Sequence, residues 1–383
     1  QQKIDSPSIK LAMLLNRPED STKLNQYRVR KIYVLQDYRP GDDILDTTRI
    51  TQTNTRNFIM RYHQRLFRFG FLARNITLRP GSLFSLGEYN KTLINFSKYN
   101  VWQTVNIVVT DVPDSNKVDL VIELVPNKKF GFEAGLEVSY AASNNSSNAL
   151  SGNLLGIFGN VSITNRNIAK EAIRMTHILS AGIELNGNSG STNTSLINSN
   201  EISYSNNIII PKNIPFWPTK RRTKPGESFI NSRIAYSNRL NLYDLQSFGL
   251  NLGKNVPGKN NTVTKRTNYV FKPLFAEFSY LYNETDSFET ILVQNPFLRY
   301  SYNTSFVMGM GGGVSNVYRN PAHTNRERSL KFNAEESGLT WGTLPILNKY
   351  KKTYIKLDGE YKYTVNYQKT SFVMRGFVGV GIP

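Results

Sequence analysis

Residues Phe130 to Tyr140 read FGFEAGLEVSY, and apolar residues alternate there with polar or small ones at every step. Phe130, Phe132, Ala134, Leu136, Val138 and Tyr140 share one face, while Gly131, Glu133, Gly135, Glu137 and Ser139 share the other. With aromatics at both ends of the apolar face, this is the pattern of a transmembrane β-strand. The strand starts immediately after VPNKK (Val125 to Lys129), so a small α+β stretch runs directly into it.

Downstream, the same reading gives strands at Leu154–Thr164, Glu171–Leu185, Glu201–Ile210, Phe229–Asn238 and Leu245–Lys254. It continues with Tyr269–Tyr282, Glu289–Tyr302, Phe306–Tyr318, Ser329–Ala334, Tyr354–Val365 and Ser371–Ile382, with no helix expected after Phe130. Most of these reach membrane-crossing length, and Asn/Ser/Gly-rich loops such as 142–152 and 186–200 alternate with short turns. Aromatics such as Tyr140, Tyr204, Tyr236, Tyr269 and Tyr318 recur near strand ends, as interfacial girdles would place them. A soluble β-sandwich also uses aromatics, but it does not set clean apolar faces against Lys356, Asp358, Glu360 and Lys362 as in Tyr354–Val365. The membrane sheet is the better reading.

Upstream, Ile9–Leu15 and Tyr27–Leu35 read as strands, and Phe58–Phe71 shows near-helical spacing with Gly70 as a stop. Ser85 with Glu88 forms a capping box ahead of Tyr89, Leu93 and Phe96, which predicts a helix to about Ser97. Two β-branched runs, Thr104–Thr110 and Val118–Val125, flank a turn at Asp111–Asn116 and predict a hairpin.

The 383 residues carry 47 Lys+Arg against 28 Asp+Glu, a formal charge of +19. No long basic run accompanies the excess; Lys220–Arg222 is the densest cluster. The charge therefore fits loops, a lumen wall and an anionic lipid surface better than nucleic acid. Cysteine is absent, and no run of 18 apolar residues predicts a transmembrane helix. Residues 1–20 lack signal-peptide regions, so an exported chain of this sequence is a mature form or a fragment. A mean hydropathy of -0.40 is compatible with strands that turn half their residues to a polar interior.

Catalytic chemistry is not legible. His63, His177 and His323 lie apart with no second ligand at metal spacing, and His177 sits on the apolar register beside Met175 and Leu179. Met308–Gly313 lacks the Lys-Ser/Thr of a P-loop, and the adjacent Glu335 and Glu336 point to opposite faces. The expectation is a protein that is not an enzyme, with no catalytic residue, metal site or cofactor.

The stretch ITLRPGSLFSLGEYNKTLINFSKYNVWQTVNIVVTD (residues 76–111), followed by VDLVIELVPNKKF (residues 118–130), resembles a POTRA domain of the BamA/TamA outer-membrane assembly superfamily. Arg79-Pro80-Gly81, Leu93, Trp102, Ile107, Ile122, Pro126 and Lys128 fill the places of its motif. VSITNRNIAK (Val161–Lys170) and the closing GVGIP (Gly379–Pro383) resemble surface-antigen barrel segments. The insertion at residues 38–75 points to the TamA-like type of Bacteroidota. Met374-Arg375-Gly376-Phe377 matches the family's loop motif, but its alternation makes Arg375 a strand residue facing the lumen.

The resemblance implies an α+β module followed by an antiparallel transmembrane β-barrel, here about 12 of an implied 16 strands. Residues 1–26 would end a preceding POTRA domain, 27–129 would form the final one with an insertion, and 130–383 an incomplete barrel. It implies assembly and insertion of β-barrel proteins in a Gram-negative outer membrane, with POTRA domains in the periplasm. Substrate would add to the edge strand Thr104, Val105, Asn106, Ile107, Val108, Val109 and Thr110. Phe130, Gly131, Phe132, Gly135, Leu136, Val138 and Tyr140 would form the first strand of a lateral gate, its glycines weakening its packing. Expected partners are unfolded outer-membrane proteins, outer-membrane lipid and lipopolysaccharide, and accessory envelope lipoproteins, with no nucleic acid. The rival is a secretion pore of the two-partner type.

Overall fold

A computed structural model describes residues 26–42, 50–141, 154–186, 196–214, 226–259, 261–262, 264–342 and 345–383. The segment at Ile9–Leu15 and the cluster Lys220–Arg222 lie outside the described residues. The chain divides into two compact units, one ending at Asn127 and one beginning at Lys128.

The first unit is a five-stranded sheet with two helices. Its elements are β1 (Arg28–Leu35), β2 (Thr51–Asn54), β3 (Ile59–Tyr62), α1 (Phe69–Asn75), α2 (Leu86–Ser97), β4 (Trp102–Asp111) and β5 (Lys117–Pro126). The strand order is β2-β3-β1-β5-β4, with β1 parallel to β3 and β5 and the final hairpin antiparallel. β5 is buried from Val118 to Ile122, as a central strand covered on both faces must be. Trp102 anchors the core: Phe67 and Phe71 pack within 4.8 and 5.8 Å of its ring, and Phe96 meets it edge-on at 5.2 Å.

Two sequence expectations fail here. Phe58–Phe71 is not one helix: Ile59–Tyr62 pairs with Tyr33–Leu35, burying Phe58 and Met60 against β1, and α1 starts only at Phe69 with Gly70 inside it. Tertiary pairing overrides the helical spacing. The capping box is also not made. Ser85 has the extended N-cap backbone but no side-chain cap bond, and Glu88 instead accepts from Lys91 at 2.7 Å.

The second unit is an eleven-stranded antiparallel meander: β6 (Phe130–Ala141), β7 (Leu154–Ile168), β8 (Ile173–Asn186), β9 (Ile197–Ile210), β10 (Glu227–Arg239), β11 (Tyr243–Pro257), β12 (Lys265–Tyr282), β13 (Ser305–Arg319), β14 (Arg326–Ser337), β15 (Tyr354–Asn366) and β16 (Ser371–Ile382). Every neighbour in sequence is a neighbour in the sheet. Among the described residues β6 and β16 pair on one side only, so the sheet is not closed.

The expected strand at Glu289–Tyr302 is replaced by α3 (Asp286–Gln294) and α4 (Leu298–Ser301), which leaves eleven of the twelve expected strands. Thr285 caps α3 by accepting from the Phe288 N–H, and Asp286 and Glu289 occupy its first turn. Phe288, fully buried, packs with Leu242, Tyr243, Leu281 and Leu292. The helix therefore rests on the turn between β10 and β11 and on the end of β12.

Candidate functional site

Antiparallel partners share a face, and the register carries two unlike faces across the whole second sheet. Phe130, Phe132, Leu136 and Val138 of β6 continue into Ile163 and Val161 of β7, Leu179 of β8, and Ile202 and Tyr204 of β9. The same face carries Ile234, Phe248, Phe278, Leu330, Tyr361 and Val378 farther on. It is exposed: Leu136 is 78% accessible, Phe132 68% and Val378 70%. An apolar face this large and this bare is not what a water-soluble surface carries.

The opposite face is polar and laced with ion pairs. Arg233 meets Glu201 at 2.8 Å, Lys272 meets Glu335 at 3.0 Å, and Glu360 lies between Arg375 at 2.7 Å and Lys331 at 3.8 Å. Arg375 thus stands on this polar face as a strand residue, in register with Lys362.

Glycines on the polar face make room for neighbouring side chains. A Cβ on Gly131 would lie 2.6 Å from Nη2 of Arg166, and one on Gly135 would lie 3.0 Å from Nδ2 of Asn160. In the β6 glycines the structure thus shows seats for β7 side chains, where the sequence suggested only weakened packing. Arg166 additionally donates from its side chain to the Lys128 carbonyl at 3.1 Å and from its backbone to the Lys129 carbonyl at 2.9 Å.

That backbone bond fixes which groups of β6 are unpaired. Lys129 and Arg166 are directly opposite and hydrogen-bonded, so odd-numbered residues of β6 turn their N–H and C=O groups to β7. The backbone groups of Phe130, Phe132, Ala134, Leu136, Val138 and Tyr140 then point out of the free edge. On β16 the Tyr367 N–H donates to the Thr370 carbonyl, which by the same rule leaves Val373, Arg375, Phe377, Gly379 and Gly381 on its free edge.

Thr104–Thr110 lies within β4, the edge of the first sheet, paired among the described residues only with β5. The Val112 N–H donates to Lys117 in the turn, so even-numbered residues of β4 face β5 and Val105, Ile107 and Val109 face the free edge. The Tyr89 hydroxyl of α2 donates to the Ile107 carbonyl at 3.1 Å, capping one acceptor of that edge. Val108 and Val109 are exposed beside it.

Two polar clusters were not visible in the sequence. His63 lies 3.5 Å from Asp42 and 3.8 Å from Asp37, whose carboxylate also accepts from the His63 and Gln64 N–H groups. Their separation of more than twenty residues hid the contact. His177 Nδ1 lies 2.6 Å from the Tyr204 hydroxyl and 3.0 Å from Asn206 Nδ2, a closed polar group on the apolar face. Among the described residues no three His, Cys, Asp or Glu side chains converge as a metal site.

No family model matches the chain. The chloroplastic outer envelope protein 80 of Oryza sativa subsp. japonica is 29% identical over 97 residues, a match covering 25% of this chain and 14% of that protein. Among solved structures, CdiB from Acinetobacter baumannii superposes with a TM-score of 0.51 at 11% identity, covering 93% of this chain and 69% of that one. CdiB from Escherichia coli gives 0.49 at 9% identity, covering 96% and 70%. At such identities the likeness is one of fold. The Acinetobacter match therefore bears on the fold, and the TamA-like type is not distinguished by it.

Proposed function

We propose that the chain is part of an outer-membrane β-barrel protein that assembles and inserts other β-barrels by strand templating. In this reading residues 27–129 are a periplasmic POTRA-type module, the polar face lines the barrel interior and β6 is one side of a lateral gate. The observation that carries it is the edge of β6, which is unpaired among the described residues. Six residues present backbone N–H and C=O groups outward from a strand with one face bare and apolar. In hydrocarbon each unpaired group costs several kcal/mol, so such an edge must be covered by a strand. A strand that can be displaced leaves a template for an incoming one. The outer edge of β4, with Val105 and Val109 turned outward and the Ile107 carbonyl taken by Tyr89, gives an unfolded client a first place to pair. No step needs a catalytic residue, metal or cofactor.

The test is reconstitution in vesicles with an unfolded barrel client, scoring client folding and ion conductance together. Accelerated folding without large conductance supports assembly. Large conductance with no effect on folding refutes it and supports a secretion pore lined by the polar face.

A further inference from the structure

On the apolar face of the second unit, the charged residues of the described strands are sorted by end. Lys254, Lys265, Arg326 and Arg328 all lie toward the end at which β6 begins, and no carboxylate shares that part of the face. The acidic residues of the face, Asp244 and Glu336, both lie at the opposite end. Asp244 is engaged there by Tyr236, Asn238 and Asn283, and Glu336 by the Met310, Leu339 and Thr340 N–H groups.

The cations at the β6-start end stand beside aromatic rings. Lys254 Nζ lies 5.4 Å from the Phe271 ring centre, Arg328 lies 5.9 Å from that of Tyr363, and Lys129 lies 5.3 Å from that of Phe130. Tyr269 and Tyr318, half-exposed on the same face, complete the row. Aromatic rings with long cationic side chains are the composition that settles at a bilayer–water boundary, where the stem lies in the apolar layer and the charge reaches the head groups.

We infer that this row binds the head groups of anionic phospholipids, and that it fixes the depth and orientation of the sheet in the leaflet at the β6-start end. The inference rests on the membrane reading above. Charge complementarity selects the occupant: several cations with no carboxylate among them attract phosphate-bearing head groups with net negative charge and gain little from zwitterionic ones. Placement decides against an acidic client chain, because the ion-paired polar face and not this one would meet it. The opposite end carries carboxylates and would repel the same lipids, which gives the sheet a polarity.

The experiment refolds the full chain into phosphatidylcholine vesicles and measures the association of trace spin-labelled phosphatidylglycerol relative to spin-labelled phosphatidylcholine. Insertion is scored independently by heat-modifiable migration and protease protection. The wild-type protein should prefer the anionic lipid by about threefold to fivefold, and high salt should reduce the preference. The variant Lys254→Gln/Arg326→Gln/Arg328→Gln should lose it. Removing as many cations from the opposite end, with Arg299→Gln/Lys349→Gln/Lys352→Gln, should leave it intact. Should the first triple variant fail to insert, Lys265→Gln, at an exposed strand start, should still lower the preference measurably. An inserted wild-type protein with no preference, or an equal loss in both triple variants, overturns the inference while leaving the membrane reading standing. Failure to insert into any vesicle overturns both.

Discussion

Two glycines on the same polar face should respond very differently to alanine. A Cβ on Gly309 of β13 would overlap the carbonyl oxygen of Glu336 and lie 2.8 Å from the Ser337 Cα. Both are backbone atoms of β14, so only a separation of the strands can relieve the overlap. That separation also strains the bonds that tie this corner together, Met310 N–H to Glu336 and the Ser337 hydroxyl to the Lys352 carbonyl at 2.8 Å. Overpacking at about 1–3 kcal/mol together with one weakened hydrogen bond puts the cost of Gly309→Ala at about 2–4 kcal/mol.

At Gly131 the obstacle is the far end of the Arg166 side chain, which can swing away. The loss is its bond to the Lys128 carbonyl, about 1 kcal/mol, against a gain of about 0.5–1 kcal/mol from removing a glycine within a strand. Gly131→Ala should therefore lie within about 1 kcal/mol of wild type. Equilibrium urea unfolding of the refolded chain in detergent, followed by the loss of heat-modifiable migration, measures both. Equal destabilisation by the two variants would refute the reasoning that the kind of atom opposing the Cβ, and not strand glycine in general, sets the cost. Because Gly131→Ala leaves the fold intact, it also isolates any effect of β6 on client folding.

Val109→Pro removes one outward N–H from the free edge of β4 and should abolish capture of an extended client peptide, seen in a crosslinking assay, with the thermal midpoint little changed. Phe288→Ala should cost about 3–5 kcal/mol locally, and hydrogen exchange should then show faster opening of residues 286–294 than of β12. The Arg30 guanidinium, 2.5 Å from Asp119, holds that carboxyl below the usual carboxylate range. A depressed folded-state pKa gives stability that is present above the unfolded value near 4 and lost as pH falls through the folded one. Acidification below about pH 4 should thus weaken the first unit in wild type, and Asp119→Asn should flatten that limb of its thermal stability profile.

The period-two signal told where the strands of the second sheet lie, because each has one bare and one polar face and the pattern is local. It told less about their ends. β7 runs on to Ile168 and β12 starts at Lys265, since pairing with a neighbour extends a strand through residues that no longer alternate. The strand expected at Glu289–Tyr302 shows the cost of reading apolar content without caps. Thr285 ahead of two acidic residues, with Phe288, Ile291 and Leu292 at helical spacing and Pro296 beyond, marked α3 in the sequence itself. The β4 edge was legible as the last hairpin of its module. The groups open on it were not, because they depend on a single turn bond from Val112 to Lys117.

The same hydrogen-bond parity bears on how the two free edges of the second sheet can act. On β6 every outward backbone group belongs to a residue whose side chain lies on the apolar face, Phe130 through Tyr140. On β16 the outward groups belong to residues of the other face, among them Arg375, Gly379 and Gly381, and the Arg375 side chain is held by Glu360. A strand pairing with β6 exchanges hydrogen bonds with residues that would stand in lipid. A strand pairing with β16 does so beside small residues and an anchored arginine on the polar face. Backbone bonding is equivalent at both edges, so under the proposed function any templating preference must come from the side chains flanking them. Under that proposal β6 would favour an incoming strand with its own apolar residues on the lipid side, which is the alternation that β-barrel strands carry. A client strand shifted by one residue would bury its charges against Phe132 and Leu136, at a cost of about 2–4 kcal/mol for a single Lys or Arg near mid-bilayer. Client segments with their alternation register shifted by one should accordingly fold no faster with the protein than without it.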